Sequence, residues 1–165
     1  MIKIRKSTLQ DVGPIIDCYT AARQYMRDNG NVKQWSNGYP SRQQIESDIA
    51  AGVSYVGEVN GQIVMVFALI FGEDPTYARI FDGSWLNDSG YATIHRLASD
   101  GSVKGVLRAC FEYCLKFTDN IRVDTHADNH IMQRGVEHLG FRRCGTIICA
   151  DGTPRIAYQY WRGGE

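Results

Sequence analysis

The sequence predicts a mixed α/β (α+β) fold, with a mostly antiparallel central sheet of about six to seven strands and helices on both faces. Three observations predict it. Two β-rich runs, 53–59 and 62–71, flank Asn60-Gly61, the strongest short-range hairpin signal in the chain, since both turn residues must take positive φ. A second pair of runs, 143–150 and 155–161, flanks Asp151-Gly152 and reads as a closing hairpin. Between the two pairs lie two units in which a short apolar strand feeds a helix, 93–98 with 103–117 and 121–124 with 133–139.

In chain order, Ile2 and Ile4 alternate with Lys3 and Arg5, as in a strand with one buried face. Ser7 or Thr8 can cap a helix whose apolar stripe is Val12, Ile15, Ile16, Tyr19, Ala22 and Met26. Asn29, Gly30 and Asn31 end it. The following loop carries Trp35, Gly38, Tyr39 and Pro40. Its aromatics either line a ligand site or pin the loop to the core. Ser41 and Gln44 form a capping box for a short helix bearing Ile45 and Ile49. Residues 77–81 suggest a further short strand segment, and Asp82, Gly83 and Ser84 begin a loop. Ser99, Asp100, Gly101 and Ser102 form a turn, and Val103, Leu107, Cys110, Cys114 and Phe117 recur at helical spacing. Asp128 or Thr125 caps the last helix, which Gly140 terminates.

Composition narrows the function classes. The 165 residues carry 18 basic and 18 acidic side chains, so nothing points to nucleic acid or an anionic membrane. No apolar run reaches spanning length, and the opening M-I-K-I-R-K lacks a signal peptide's apolar stretch. The five cysteines, 18, 110, 114, 144 and 149, are odd in number and scattered, which suits a reducing cytoplasm. No C-x-x-C occurs, and His126 and His130 have no evident third ligand, so no metal is expected. Residues 1–165 are expected to form a single domain, and a homodimer stays open.

The stretch 93–114 carries the chemistry. A strand that passes through a glycine turn into a helix N-terminus gathers unpaired backbone N–H groups at a positive dipole end, which suits a phosphate. Many such turns bind nothing, and neither G-x-G-x-x-G nor G-x-x-x-x-G-K-[ST] is present.

The order of elements and three local patterns resemble the GNAT superfamily, the acetyl-coenzyme A-dependent N-acetyltransferases. The resemblance covers essentially the whole chain. The family's cofactor turn reads Gln/Arg-x-x-Gly-x-Gly/Ala. Here it is Ser102-Val103-Lys104-Gly105-Val106-Leu107, which keeps only Gly105 and departs at Ser102 and Leu107. The second pattern is Asn129, a helix, then Gly140-Phe141. The third is the opening I-K-I-R-K-S-T followed by L-Q-D-V.

The resemblance implies an acyl-coenzyme A N-acyltransferase fold and transfer of an acetyl group to a primary amine of a small molecule or peptide. It puts the coenzyme pyrophosphate on the amides of residues 103–107, with Lys104 close by. The pantetheine arm would pair with the backbone of Leu97 and Ser99, and Asn129 would bond the arm. It also implies a backbone N–H near Leu97 that polarises the thioester carbonyl. The usual acid, a tyrosine seven residues after the asparagine, is replaced by Val136.

Bases in the family match Tyr91 or Thr93, neither an obvious base. His95 shares their strand parity, and the ordinary imidazole pKa of about 6.5 suits the role. Asp82, Glu73 or a water chain are alternatives, and Tyr91 is kept as a second catalytic candidate. Trp35, Tyr39 and Trp85, with Arg23, are candidates for the acceptor pocket. Arg96 would point to the opposite face from His95. With neither acid nor base obvious, an acyl-coenzyme A-binding module with little catalysis is the alternative.

Overall fold

A computed structural model of the chain describes residues 1–163. Strands β1 (Lys3–Lys6), β2 (Ser54–Val59), β3 (Gln62–Phe71), β4 (Ala92–Ser99), β5 (Asn120–Thr125), β6 (Arg142–Ile148) and β7 (Pro154–Trp161) form one sheet in the order β1-β2-β3-β4-β5-β7-β6. Helices α1 (Val12–Asp28), α2 (Arg42–Ala50), α3 (Val106–Cys114) and α4 (His130–Leu139) join them. The element order is the one the sequence predicts. The residues fall into two compact units, and β4 contributes to both.

The first unit comprises Met1–Leu69 and His95–Cys114. Asn60 and Gly61 take φ of 52° and 79°, and Val59 registers with Gln62, so the two-residue hairpin forms as predicted. Helix α1 buries Val12, Ile15, Cys18, Tyr19 and Ala22 against Ile45 of α2 and Val56, Val66 and Ala98 of the sheet. The stripe at i, i+3, i+7 is the helical period at work. Thr8 caps a short 3-10 turn ahead of α1, where the Asp11 carboxylate accepts from its N–H at 2.7 Å. Half of the expected capping box at α2 is present. Ser41 Oγ accepts from Gln44 N at 3.1 Å, but the Gln44 side chain reaches forward to Asp48 at 2.9 Å. Asp48 is buried and supplies a stronger, charged acceptor.

The second unit comprises Ile70–Ile94 and the chain from Leu115 onward. The β6–β7 hairpin runs from Arg142↔Gln159 to Ile148↔Pro154, and β7 pairs antiparallel with β5. Parallel pairing of β4 with β5 registers Ala92 with Ile121 and Thr93 with Arg122. Residues 77–81 do not form the expected strand. Asp74 caps a 3-10 turn at Pro75–Tyr77, and Phe81 makes one isolated bridge to Thr146. The cap of α4 is Asn129, not Asp128 or Thr125: its Oδ1 accepts from Met132 N at 3.1 Å. Gly140 closes that helix with φ of 103°.

Candidate active site

Strand β4 bends at Arg96, which has φ of 56°. A non-glycine residue in this left-handed region costs about 1–2 kcal/mol and persists only where its surroundings over-determine it. Four hydrogen bonds do so. Tyr19 Oη donates to the Arg96 carbonyl at 2.7 Å. The guanidinium donates through Nε and Nη2 to the two Asp48 oxygens, both at 2.9 Å, and through Nη1 to Tyr39 Oη at 3.0 Å. Burial opposes the guanidinium's charge, but Tyr39 and Asp48 outweigh it and push its pKa up. The bend removes the simple alternation assumed from sequence, as the consecutive half-buried His95, Arg96 and Leu97 show.

Beyond β4 the chain turns through residues 99–105. Ser99 Oγ accepts from Gly101 N at 3.0 Å, and Asp100 Oδ1 accepts from Ser102 N at 2.9 Å and Ser102 Oγ at 2.6 Å. Asp100 N donates to Val64 O at 3.0 Å, tying the turn to β3. Gly101 and Gly105 have φ of 82° and 80°, and a Cβ at either would meet no atom within 4 Å. The glycines therefore serve backbone conformation in open space, not tight packing.

The α3 helix starts at Val106, later than the expected 103, because Gly105 lies outside helical φ. Ala109 N donates to Gly105 O at 2.9 Å, the first bond of the helix. The amides of Val106, Leu107 and Arg108 precede that bond and have no intrahelical acceptor. Lys104 is exposed, Leu107 half-buried and Val103 part of the turn. A glycine-held turn followed by first-turn amides without an intrahelical acceptor fits a pyrophosphate. The Asp100 carboxylate, which occupies the Ser102 N–H, works against one.

Of the acceptor candidates in the first unit, Tyr39 bonds Arg96, and Trp35 and Arg23 reach Tyr39. Trp35, itself at φ of 59°, packs edge-on against Tyr19 and onto the core cluster, while Tyr39 lies edge-on to Trp35 with its ring exposed. Arg23 Nη1 donates to the Tyr39 carbonyl at 3.3 Å. His95 is half-buried on β4.

In the second unit, Tyr91 and Trp85 are core side chains. Tyr91 is 9% exposed, and its hydroxyl accepts from Asp74 N at 2.8 Å. Trp85 Nε1 donates to Tyr77 O at 2.9 Å. Their rings sandwich Arg122, whose Cζ lies 4.1 Å from the Trp85 centroid and 3.9 Å from that of Tyr91. Burial pulls the pKa of Arg122 down, against Tyr91, yet an arginine keeps its proton. Its Nη2 donates to Asn87 O at 2.9 Å. Gln159 and Asn120, both buried, bond each other at 2.7 Å and hold Leu86 N and Gly90 O.

Val136, at the position where the resemblance expects an acid, is 1% exposed and apolar. The Asn129 amide oxygen is engaged as the α4 cap, and His126 Nδ1 accepts from Asp128 N at 3.0 Å. Sequence reasoning singled out Arg96 as a residue that anchors the sheet but not its left-handed backbone or its partners Asp48 and Tyr19, and it missed Arg122. The only signal for Arg122 was a charged residue between Ile121 and Val123 in an apolar run; for the left-handed Arg96 there was none.

The seven-stranded order, mostly antiparallel with β4 and β5 parallel, is that of an acyl-coenzyme A N-acyltransferase fold. Solved structures bear this out. An acetyltransferase of the GNAT family from Streptococcus agalactiae 2603 is 30% identical, with a TM-score of 0.90, over 99% of this chain and 96% of that one. A GNAT-family acetyltransferase from Listeria monocytogenes 4b F2365 shares the fold at 17% identity and TM-score 0.72, over 97% and 94%. So does AAC(6')-Ib, solved with ribostamycin and coenzyme A, at 19% identity and TM-score 0.66, over 98% and 93%. No family model and no curated protein matches the sequence. The chain belongs to the GNAT superfamily of acetyltransferases.

Proposed function

We propose that the chain is an acetyl-coenzyme A-dependent N-acetyltransferase that acetylates a primary amine of a small molecule or peptide. The observation that carries this reading is the path of β4, which bends at Arg96 and runs through a glycine turn into the first turn of α3. AAC(6')-Ib, with the same fold, is solved with coenzyme A. Acetyl-coenzyme A, when bound, would supply an acetyl thioester whose C–S bond breaks as a C–N bond to the amine forms, the coenzyme leaving as its thiolate.

The residues of the chain would divide the work. Amides of the turn and of Val106 and Leu107 hold the pyrophosphate, using main chain where the family's Gln or Arg is replaced by Ser102. The backbone of Leu97 and Ser99 pairs with the pantetheine arm. The N–H of Leu97 polarises the thioester carbonyl. An imidazole nitrogen of His95 takes the proton from the acceptor amine. Tyr39 and Trp35 border the acceptor.

Isothermal titration with acetyl-coenzyme A tests the first step: micromolar binding is expected, and none at high micromolar concentration refutes it. Thiol release over a panel of amines tests the second. His95→Ala should lower turnover about tenfold with acetyl-coenzyme A affinity intact. An unchanged pH–rate profile removes His95 from the role. Val136, buried where an acid is expected, favours a second reading, an acyl-coenzyme A-binding module with little catalysis. Tight binding with no turnover on any amine would select it.

A further inference from the structure

We propose that Arg96 is a positioning residue: its fork on Asp48 and its bond to Tyr39 hold β4 in the left-handed bend that presents the Leu97 N–H to the thioester carbonyl. The inference rests on the acetyl-transfer reading above. It concerns this chain's own side chains, since a bend alone does not require an arginine. Glycine takes φ near 56° freely, whereas arginine there must be held.

The restraints come from three elements. Tyr19 of α1 fixes the Arg96 carbonyl at 2.7 Å, Asp48 of α2 takes the fork at 2.9 Å twice, and Tyr39 of the intervening loop takes Nη1 at 3.0 Å. The Arg96 and Asp48 side chains are 12% and 11% exposed, so solvent screens the pair little. Asp48 is itself held by Gln44 at 2.9 Å. The α1–α2 segment that carries Tyr39 and Trp35 is thereby fastened to the one strained residue of β4. The carbonyl and the side chain of Arg96 are gripped separately, which fixes the rotation of the peptide planes on either side of its Cα. The following plane carries the Leu97 N–H, and a donor misaligned by a small rotation loses much of its bond.

Infrared spectroscopy of acetyl-coenzyme A labelled with carbon-13 at the acetyl carbonyl reads that bond directly. In the unaltered protein the bound carbonyl stretch should lie below that of the free thioester. Arg96→Ala, which keeps the left-handed cost and the Tyr19 bond to the carbonyl but loses the guanidinium's grip, should return it most of the way to the free value, with the calorimetric Kd within about threefold, because the pyrophosphate is held elsewhere. Arg96→Gly, which tolerates the bend without a grip, should recover part of the downshift. Asp48→Asn, close in shape, should lose part of it, and decides the matter if Arg96→Ala does not fold. The Leu97 amide resonance of the coenzyme-free protein should move in the same order.

A downshift retained in Arg96→Ala, or in Asp48→Asn if the alanine variant does not fold, overturns the proposal. So does equal loss in the alanine and glycine variants, which would mean that the guanidinium acts directly. Acetyl-coenzyme A that binds the unaltered protein with no downshift overturns it too. Failure of acetyl-coenzyme A to bind the unaltered protein instead overturns the transferase reading.

Discussion

Two stretches of this molecule hold charged and aromatic residues in contrasting ways. From Arg96 to Leu107 the chemistry belongs to the main chain: one left-handed arginine, two glycines at positive φ and a turn closed by short side-chain bonds. Around Arg122 it belongs to side chains: a guanidinium between two aromatic rings, with buried Asn120 and Gln159 beside it. The second stretch looks more like a catalytic site by composition, yet the polar tips of its aromatics are used internally. Tyr91 Oη accepts from Asp74 N, and Trp85 Nε1 donates to Tyr77 O. The first stretch looks plain by composition, its glycines have open space where a Cβ would stand, and the amides of the first turn of α3 have no intrahelical acceptor. Aromatic side chains with every polar atom committed stabilise a fold; unspent main-chain donors are available to a ligand.

Arg122→Ala should break the aromatic cluster and give the largest effect. It empties the space between two rings and strands the Asn87 carbonyl, so a loss of about 3–4 kcal/mol is expected in urea unfolding. Arg122→Met, which fills the gap and removes a desolvated charge, should cost less than half of that. If Arg122→Ala unfolds like the parent but loses acetyl-coenzyme A binding, the two stretches have been assigned the wrong way round.

Gly105→Ala tests the other stretch. A Cβ there would touch nothing, so the cost is purely conformational, about 1–2 kcal/mol at φ of 80°. The strain would fall at the start of α3, and acetyl-coenzyme A affinity should drop more than the stability loss alone explains. Tyr91→Phe should cost about 1 kcal/mol through the stranded Asp74 N–H and leave turnover within twofold. A fall in turnover of tenfold or more at unchanged stability would assign Tyr91 a catalytic role.

The fold was legible because each strand and helix writes its own period. The Asn60-Gly61 turn, the α1 stripe and the glycine stop of α4 need only neighbours along the chain. Residues 77–81 misled because their apolar pattern suits a strand, while Asp74 and Pro75 start a 3-10 turn whose Tyr77 is buried. Of the candidate site, the glycine turn between β4 and α3 was legible from the residues themselves, and the roles given to the others came from the resemblance. Nothing local announces that Arg96 is left-handed, since its partners Tyr19, Tyr39 and Asp48 lie 77, 57 and 48 residues away. The expectation that Arg96 faces away from His95 rests on alternation, which holds only along a regular strand, and β4 takes its left-handed residue at Arg96 itself.

The finest test of the contrast is Asp100→Asn. The carboxylate caps the Ser102 N–H at 2.9 Å and lies exposed in the turn proposed to hold the pyrophosphate. Asparagine keeps an oxygen to accept that bond, so the turn should survive while its negative charge goes. If pyrophosphate binds here, removal of one exposed like charge should tighten acetyl-coenzyme A by about two- to threefold at low salt, and the gain should fade as ionic strength approaches 1 M. Asp100→Ala separates charge from shape. It removes the same charge but also the cap, so its gain should be smaller than that of asparagine, because the Ser102 N–H it frees comes with a looser turn. Equal affinities for all three proteins at low salt would place the pyrophosphate away from Asp100 and narrow its cradle to the first turn of α3.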